Sequence, residues 1–268
     1  MLPASPPAVR RIGAVNWIGF WTLYSREVWR FLKVSTQTIA APVVTTLLFL
    51  AVFLLALGGA GRGGAGGAGY GAFLAPGLII MAVMQNAFAN TSSSIIISKV
   101  QGNIVDVLMP PLSGGELTLA YTLGGMTRGV VVGAVVSLAI WCVVPIRIHD
   151  AAALLFFGLS AALLLSLLGL LGGIWAEKFD HIAAVTNFVV TPLSFLSGTF
   201  YSIDRLPASW QLVARFDPFF YLIDGFRYAL TGKADAALAT GMAAVAACNA
   251  GLLLLCFRLI ARGYKLKA

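Results

Sequence analysis

The chain has 268 residues, of which 59% are hydrophobic and only 10% are charged, and its formal net charge at pH 7 is +8. A soluble domain carries about 25% charged residues, so this composition excludes a soluble globular protein and indicates an integral membrane protein. A net positive charge is also typical of nucleic-acid-binding proteins, but here the basic residues flank the apolar segments, which is the positive-inside pattern of membrane proteins.

Residues 1–35 are predicted to form an N-terminal tail and an amphipathic helix that lies in the membrane interface. Apolar and aromatic residues recur at spacings of three and four between positions 17 and 31, whereas Arg26, Arg30 and Lys33 share another face. Such a helix places its rings in the membrane and its arginines towards anionic lipid headgroups. Simple anchoring and contact with a cytosolic partner remain open as roles for this helix.

Residues 36–268 are predicted to form one all-α domain of six membrane-spanning helices, with lengths near the roughly twenty residues that a bilayer requires. The predicted spans are 39–57, 72–93, 129–144, 152–175, 182–199 and 238–259. The Gly- and Ala-rich segment 58–71 is predicted to be a flexible external connector. Because basic residues are concentrated in the two tails, both termini are predicted to lie in the cytoplasm.

The third span lies in a segment, 113–145, that is too long for one straight crossing. Its continuous apolar part is 129–144. We therefore expect 114–127 to form a turn near the cytosol, with Glu116 near its start. Arg128 then lies within reach of the inner membrane interface rather than at the middle of the bilayer.

The segment between the second and third spans, 95–112, contains several polar residues and stops at Pro110-Pro111. Because proline cannot continue a helix, this pattern predicts a short cytosolic helix that ends there. Ile104, Val107 and Leu108 give it a small apolar face that could enter the groove of a partner protein.

Two spans carry polar side chains within their apolar sequence. These side chains are Asn86 and Asn90 in the second span, and Asn187, Thr191 and Ser194 in the fifth. Polar groups in a span usually face protein or a cavity, so helix packing and the lining of a cavity are both open interpretations.

Residues 200–232 mix charged and aromatic side chains more densely than either a plain loop or a membrane span would. The mixture predicts short amphipathic helices at the outer membrane surface, with rings in the apolar region and charges towards water. The segment from Asp217 to Arg227 is the most distinctive part of the whole chain.

The order of these segments resembles the ABC-2 type permease family, the membrane subunits of bacterial exporters for drugs, lipo-oligosaccharides and capsular polymers. The resemblance covers nearly the whole chain, and four segments carry it. They are the basic interfacial helix, the segment from Gln101-Gly102-Asn103-Ile104 to Pro110-Pro111, Lys178-Phe179-Asp180, and Asp217-Pro218 through Gly225-Phe226-Arg227. The family more often has Asn before that proline, whereas this chain has Asp217.

The resemblance implies re-entrant helices at about 200–232 and pairing with a second, identical permease protomer. It also implies two separate ATPase subunits, which would bind ATP and Mg while this chain binds no cofactor or metal. A coupling helix at about 98–109 would then contact the ATPase. Its expected contact residues are Lys99, Gln101, Asn103, Ile104, Asp106 and Leu108.

A transport mechanism follows from the same resemblance. The polar residues of the second and fifth spans would line a substrate path between two protomers, without fixed charge. The outer segment would act as a gate, in which Asp224 and Arg227 could form a latch because they lie three residues apart on one helix face. The expected gate residues are Asp217, Pro218, Tyr221, Asp224 and Arg227. An isolated ion pair with only a structural role is the alternative for the latch.

The expected function is that of an inner-membrane exporter subunit for an amphiphilic, lipid-like, drug or glycan substrate. The alternative is a secondary transporter or channel that uses no ATP, which would need acidic or other ionisable residues within its spans. The apolar cores contain no Asp or Glu. An intramembrane enzyme would need a catalytic set at one depth, and His149 and His181 are predicted on opposite membrane faces.

Overall fold

The computed structural model describes residues 13–57, 67–203 and 207–266, and over these residues it consists of helices joined by short loops. The predicted N-terminal tail lies almost entirely outside the described residues. So do most of the predicted external connector, the charged residues Asp204 and Arg205, and the last two residues of the chain.

The helices in chain order are α1 (Trp17–Leu32), α2 (Ala41–Leu57), α3 (Gly67–Val100), α4 (Ile104–Leu108), α5 (Gly114–Trp141), α6 (Ala151–Trp175), α7 (Phe179–Val185), α8 (Thr191–Ser194), α9 (Ala208–Phe216), α10 (Pro218–Thr231) and α11 (Leu238–Ala261). Short π-helical turns occur at Thr36–Ala40, Thr186–Val190 and Phe195–Thr199. Six segments within the described residues are long and apolar enough to cross a membrane. The prediction of an all-α membrane protein with six spanning helices is confirmed.

Helix α1 forms where the sequence predicts an amphipathic helix. The Asn16 side chain caps it by accepting a hydrogen bond from the Gly19 N–H at 3.0 Å. Leu23 and Phe31 are buried against the rest of the chain, whereas the indole of Trp17 is largely exposed. One face of α1 therefore packs on the bundle, and the aromatic face is free to enter the membrane interface.

Helix α3 is the central helix of the bundle and packs against α2, α5, α6 and α10. Its contact with α6 is very close, because a Cβ added to Gly169 would collide with the Phe88 carbonyl oxygen. Glycine is therefore required at that crossing for the two backbones to approach. The predicted end of this span near residue 93 is wrong, since α3 continues without a break to Val100.

Helix α5 is one continuous helix of 28 residues, so the prediction of a turn at 114–127 is wrong. A capping box formed by Ser113 and Glu116 starts the helix, and Glu116 is the residue expected near the start of that turn. The first turns of α5 bury Leu117, Ala120 and Tyr121, so they are stabilised by packing against the neighbouring helices, including α1.

The fifth span, Phe179–Thr199, is present but irregular. Pro192 lacks the N–H that would continue α-helical bonding to Phe188, and a π-helical turn precedes it. A second break follows at Gly198, where φ is +85°, a left-handed conformation that glycine adopts without strain. The span therefore ends in a kink that leads towards α9.

The two ends of the bundle have different contents. At one end, Leu23 of α1, Ile104 of α4 and Leu266 after α11 belong to one buried cluster. At the other end, α10 packs among α3, α6 and α11, and the His149 and Asp150 N–H groups donate to the Ala229 carbonyl. The predicted cytosolic segment therefore lies at the same end as α1 and the end of α11, and the predicted outer segment lies at the opposite end.

Candidate functional site

The predicted coupling segment is a turn followed by one short helix. Helix α3 ends at Val100, residues 101–103 form a turn, and α4 spans only Ile104–Leu108. Gly102 has a φ of +74°, which breaks the helix at that point. The prediction of a single helix at 98–109 is therefore wrong in its bounds, although the segment lies where it was expected along the chain.

The apolar face of α4 points into the protein. Ile104 and Val107 are each only 6% exposed and pack in the same cluster as Leu117 of α5. The expectation that these two residues would enter a partner's groove is therefore wrong, because the chain uses them for its own core.

The surface that α4 does present has a different composition. Val105 is 51% exposed and Met109 is 76% exposed, and since they lie four residues apart they share one side of the segment. Asp106 is exposed beside them, and Gln101 and Asn103 are exposed on the preceding turn. This exposed knuckle, residues 101–109, combines two apolar side chains with polar neighbours. Leu108 is half-buried at its edge.

Lys99 lies in the last turn of α3 and is directed towards α6. Its Nζ donates to the Ile174 carbonyl at 2.8 Å and also to the Ala176 carbonyl. These are carbonyls at the C-terminal end of α6, where a cation is favoured by the helix dipole. Lys99 therefore joins α3 to α6, and the expectation that it contacts an ATPase directly is not supported by its geometry.

Glu116 joins three parts of the chain beside the knuckle. One of its oxygens accepts from the Ser113 N–H at 2.6 Å, and the other accepts from the Asn16 N–H at the start of α1. The Asn16 side chain also donates to the Pro111 carbonyl at 3.2 Å. The start of α1, the segment just after the knuckle and the start of α5 are thus held together by hydrogen bonds.

A buried carboxylate cluster, which the sequence reasoning missed, holds the middle of α1. Glu27 is 0% exposed, and it accepts hydrogen bonds from Arg26 at 3.2 Å, Arg30 at 3.1 Å and Ser94 of α3 at 2.8 Å. The only available signal was that Glu27 is the single acid among the basic residues of this helix. A buried carboxylate is costly unless it is paired, and Arg26 and Arg30 supply that pairing for Glu27.

The two asparagines of the second span are buried and do not line an open path within this chain. Asn90 is 0% exposed, and its side-chain oxygen accepts from Arg30 at 3.0 Å. Asn86 is 7% exposed, and its side-chain oxygen accepts from Arg128 at 3.1 Å. The expectation of a lining without fixed charge is wrong here, because each amide contacts an arginine.

The three polar residues of the fifth span do not share one surface. Asn187 is exposed and Thr191 is half-buried, whereas Ser194 is fully buried. The Ser194 hydroxyl donates to the Val190 carbonyl at 2.7 Å, so its hydrogen bond is local to the helix. Of this set, Asn187 and Thr191 remain available to a path between protomers.

Asp217 forms the N-cap of α10, with Pro218 at the first helical position. Its carboxylate accepts from the Phe219 N–H at 2.9 Å and from the Ser197 hydroxyl at 2.6 Å. Burial raises the pKa of the Asp217 carboxyl, and these two hydrogen bonds oppose the shift. Asp217 therefore connects α10 to the kink at the end of the fifth span.

Asp224 and Arg227 are both buried, at 3% and 4% exposure, so their expected orientation towards water is wrong. Asp224 accepts from the backbone N–H groups of Asp235 and Ala236, at 2.8 and 2.9 Å. Burial raises the pKa of its carboxyl, and the two backbone donors lower it.

Arg227 has different partners from Asp224. It donates to the Gly198 carbonyl at 2.6 Å, and its guanidinium carbon lies 4.0 Å from the centre of the Phe73 ring. None of the ion pairs found among the described residues joins Arg227 to Asp224. The expected latch between the two is therefore absent, and each residue instead fixes α10 to a separate neighbour.

The remaining gate residue, Tyr221, is half-buried, and its ring centre lies 5.1 Å from that of Phe220. A cavity of about 570 Å³ opens at the same end of the bundle. The charged residues that line it are Arg147, Arg227, Lys233 and Asp235. The end of the bundle that holds α10 thus combines a packed helix with an adjacent, mostly basic cavity.

Comparison with known proteins gives a consistent result. Residues 18–231 match the family model described as "ABC-2 type transporter". The chain is 36% identical over 252 residues to "Inner membrane transport permease YadH" of Escherichia coli (strain K12), covering 94% of this chain and 98% of that protein. It is 26% identical over 228 residues to "Nodulation protein J" of Rhizobium leguminosarum bv. viciae, covering 82% of this chain and 84% of that protein.

Proposed function

Because this chain belongs to the ABC-2 type transporter family and is a permease rather than an enzyme, we propose that it forms the membrane pathway of an ATP-driven exporter. Permeases of this family work with ABC ATPase partners. ATP and Mg would be bound by two ATPase subunits, and this chain would supply the route across the bilayer. A second, identical permease would complete that route.

The observation that carries the proposal is the exposed knuckle, residues 101–109, at the end of the bundle that holds α1. Its backbone is fixed on both sides, by α3 before it and by the hydrogen bond from Asn16 to Pro111 after it. Its exposed side chains, Val105 and Met109, are free to enter a groove in a partner. A rigid protrusion with apolar tips suits the transmission of a push from one protein to another.

The contacts around the knuckle indicate which helices would move when the partner displaces it. Lys99 joins the end of α3 to α6, and Glu116 joins the starts of α1 and α5. Movement of the knuckle would therefore carry four helices together rather than bend one of them. We expect this group to move as a unit when the ATPases close, and so to change the pathway from inward-open to outward-open.

The proposed location is the bacterial inner membrane, with both termini in the cytoplasm. The Escherichia coli relative is named as an inner membrane transport permease, and six segments of this chain can span a membrane. The basic residues near both ends of the chain support a cytoplasmic position for the termini.

The proposed cargo is an amphiphilic molecule, such as a lipid-like compound, a drug or a lipid-linked glycan. Phe188 and Phe195 of the fifth span are exposed together with Asn187. A path built from this surface would offer rings to an apolar portion and amide groups to a polar portion.

The proposal is tested by expressing the chain with the ATPase encoded beside it and measuring co-purification and ATP turnover. The double variant Val105→Glu, Met109→Glu should lose the ATPase, because two carboxylates would replace the apolar tips of the knuckle. Transport that runs on an ion gradient without any ATPase would contradict the proposal and favour a secondary transporter.

A matched control comes from the opposite end of the bundle. Leu212 and Phe216 on α9 are also exposed apolar residues four positions apart. The variant Leu212→Glu, Phe216→Glu should keep the ATPase bound. Size-exclusion chromatography of both variants establishes that each is folded. If both variants lose the ATPase equally, the knuckle is not the docking surface.

A further inference from the structure

Arg128 occupies an unusual position in the bundle. It lies near the middle of the 28-residue helix α5, about 20 Å along the axis from either end. The neighbouring residue Thr127 shares a hydrogen bond of 2.9 Å with Tyr24 of α1. Since α1 has the amphipathic pattern of an interfacial helix, Arg128 lies just on the membrane side of that interface.

The guanidinium of Arg128 is poorly compensated. Its one hydrogen bond to a described residue joins Nη2 to the Asn86 side-chain oxygen at 3.1 Å, and its buried Nε has no acceptor there. None of the ion pairs found among the described residues includes Arg128. A charged group within a membrane span is costly unless it has a partner, and such groups commonly mark a binding site.

The surroundings are also basic. Arg26 and Arg30 both pair with the same carboxylate, Glu27, and Arg30 reaches Asn90 one helical turn from Asn86. This corner of the bundle, where α1 crosses α3 and α5, therefore holds three guanidinium groups and one carboxylate. The excess positive charge would be balanced by an anion.

The corner is accessible from the surface of the chain. Arg128 itself is half-buried, and Asn86 borders a half-buried stripe of α3 formed by Gln85, Ala89 and Ser93. A guanidinium presents parallel N–H donors that match the two oxygens of a phosphate or carboxylate. An anionic headgroup could therefore approach along this stripe while its acyl chains stay in the bilayer.

We propose that Arg128, with Asn86 and Arg30, binds the anionic headgroup of an amphiphile at the inner membrane interface. The headgroup carries a phosphate or carboxylate, and it belongs either to the transported molecule or to a resident bilayer lipid. The first of these two sources rests on the proposed function, because it requires that the protein export an amphiphile. The binding site itself does not depend on export.

Binding is measured on the purified full-length permease alone, in maltoside micelles, by isothermal titration calorimetry. The probes are dihexanoyl phosphatidic acid and, as a zwitterionic comparison, dihexanoyl phosphatidylcholine. We expect phosphatidic acid to bind about tenfold more tightly than phosphatidylcholine, a difference typical of one charge-assisted contact. Equal binding of the two lipids would overturn the proposal. The result is independent of whether an ATPase co-purifies.

Variants of Arg128 test the residue assignment. Arg128→Gln should remove the preference for phosphatidic acid, and Arg128→Lys should retain part of it, because lysine keeps the charge but loses the paired donors. The control Arg258→Gln changes an exposed arginine of α11 outside this corner of the bundle and should leave the preference intact. Unchanged binding in Arg128→Gln would refute the assignment.

A second variant keeps the proposal testable if Arg128→Gln does not fold. Asn86→Asp places a carboxylate 3.1 Å from the guanidinium and so supplies an internal counter-ion. This variant should bind phosphatidic acid about as weakly as phosphatidylcholine, although the arginine is still present. Full retention of the preference in Asn86→Asp would overturn the proposal.

The two sources of the headgroup are separated with the assembled transporter in vesicles that contain acyl-labelled phosphatidic acid. ATP-dependent movement of the label that Arg128→Gln abolishes supports the site and assigns it to the transported molecule. Binding without movement also supports the site and assigns it to a resident lipid. Movement that Arg128→Gln leaves unchanged would exclude this site from the transport path.

Discussion

Replacement of Glu27 by glutamine tests whether one buried carboxylate holds α1 on the bundle. Glu27 is fully buried and receives hydrogen bonds from Arg26, Arg30 and Ser94. Glutamine has nearly the same shape, so the packing should be preserved. What the substitution removes is the negative charge between two guanidinium groups.

The expected cost follows from the exposure of the partners. The side chain of Arg26 is 46% exposed and that of Arg30 is 30% exposed, so each ion pair is partly screened by solvent. Each pair should contribute about 1 kcal/mol, well below the roughly 3–5 kcal/mol lost when a fully buried pair is broken. Losing both should ease the detachment of α1 by about 2 kcal/mol, which corresponds to roughly 30-fold.

Hydrogen exchange of the peptides that cover α1 measures this detachment directly. In Glu27→Gln these amides should exchange about 30-fold faster when local opening limits the exchange, while peptides from α6 should be unchanged. The control Glu177→Gln removes an exposed acid that pairs with Lys265 and should not alter exchange in α1. An increase of less than about threefold in Glu27→Gln would show that α1 is held by apolar packing rather than by the carboxylate.

Three further predictions concern the packing of the bundle and the end that holds α10. Gly169→Leu should lower the free energy of unfolding by about 2 kcal/mol or more through overpacking. Gly251→Leu should not destabilise the protein, because no neighbouring atom lies within 4 Å of the Cβ position of Gly251. Asp224→Ala should speed hydrogen exchange in 232–237, because two backbone N–H donors lose their acceptor and the segment is destabilised by about 2 kcal/mol. Unchanged exchange in this segment would contradict the prediction. Asp217→Asn should be nearly neutral near pH 4, because the amide still caps α10. Burial raises the pKa of Asp217 in the folded state, so the stability of the wild type falls as pH rises through that pKa. The melting temperature of Asp217→Asn minus that of the wild type should therefore increase as pH rises through it. A difference between the two melting temperatures that does not change with pH would refute this.

Hydropathy predicts the six spans because lipid contact imposes a long apolar segment on each of them. The two largest errors have one cause. Glu116 suggests the start of a cytosolic turn, and the polar residues near Lys99 suggest a separate short cytosolic helix. Instead, α3 and α5 extend beyond the apolar core as continuous helices. Helices longer than the bilayer are stabilised there by packing against α1, which hydropathy does not report.

The side-chain partners were much less predictable than the helices. The apolar residues of α4 were identified, but only tertiary structure reveals that Ile104 faces the core and Val105 faces outward. Likewise, the spacing of Asp224 and Arg227 favoured an ion pair, yet backbone groups distant in sequence provide better partners for both. Whether Asp217 and Tyr221 act in a gate stays a prediction.

The inward-facing apolar side of α4 limits how tightly one protomer can bind the proposed ATPase partner. With Ile104 and Val107 committed to the core, a single protomer offers a small footprint with two apolar tips, Val105 and Met109. Such a contact should be weak by itself. Firm attachment would then require that two permeases present their footprints to a paired ATPase at once, since tethering both raises the effective concentration of the second contact. Assembly of the transporter would thus be strongly cooperative.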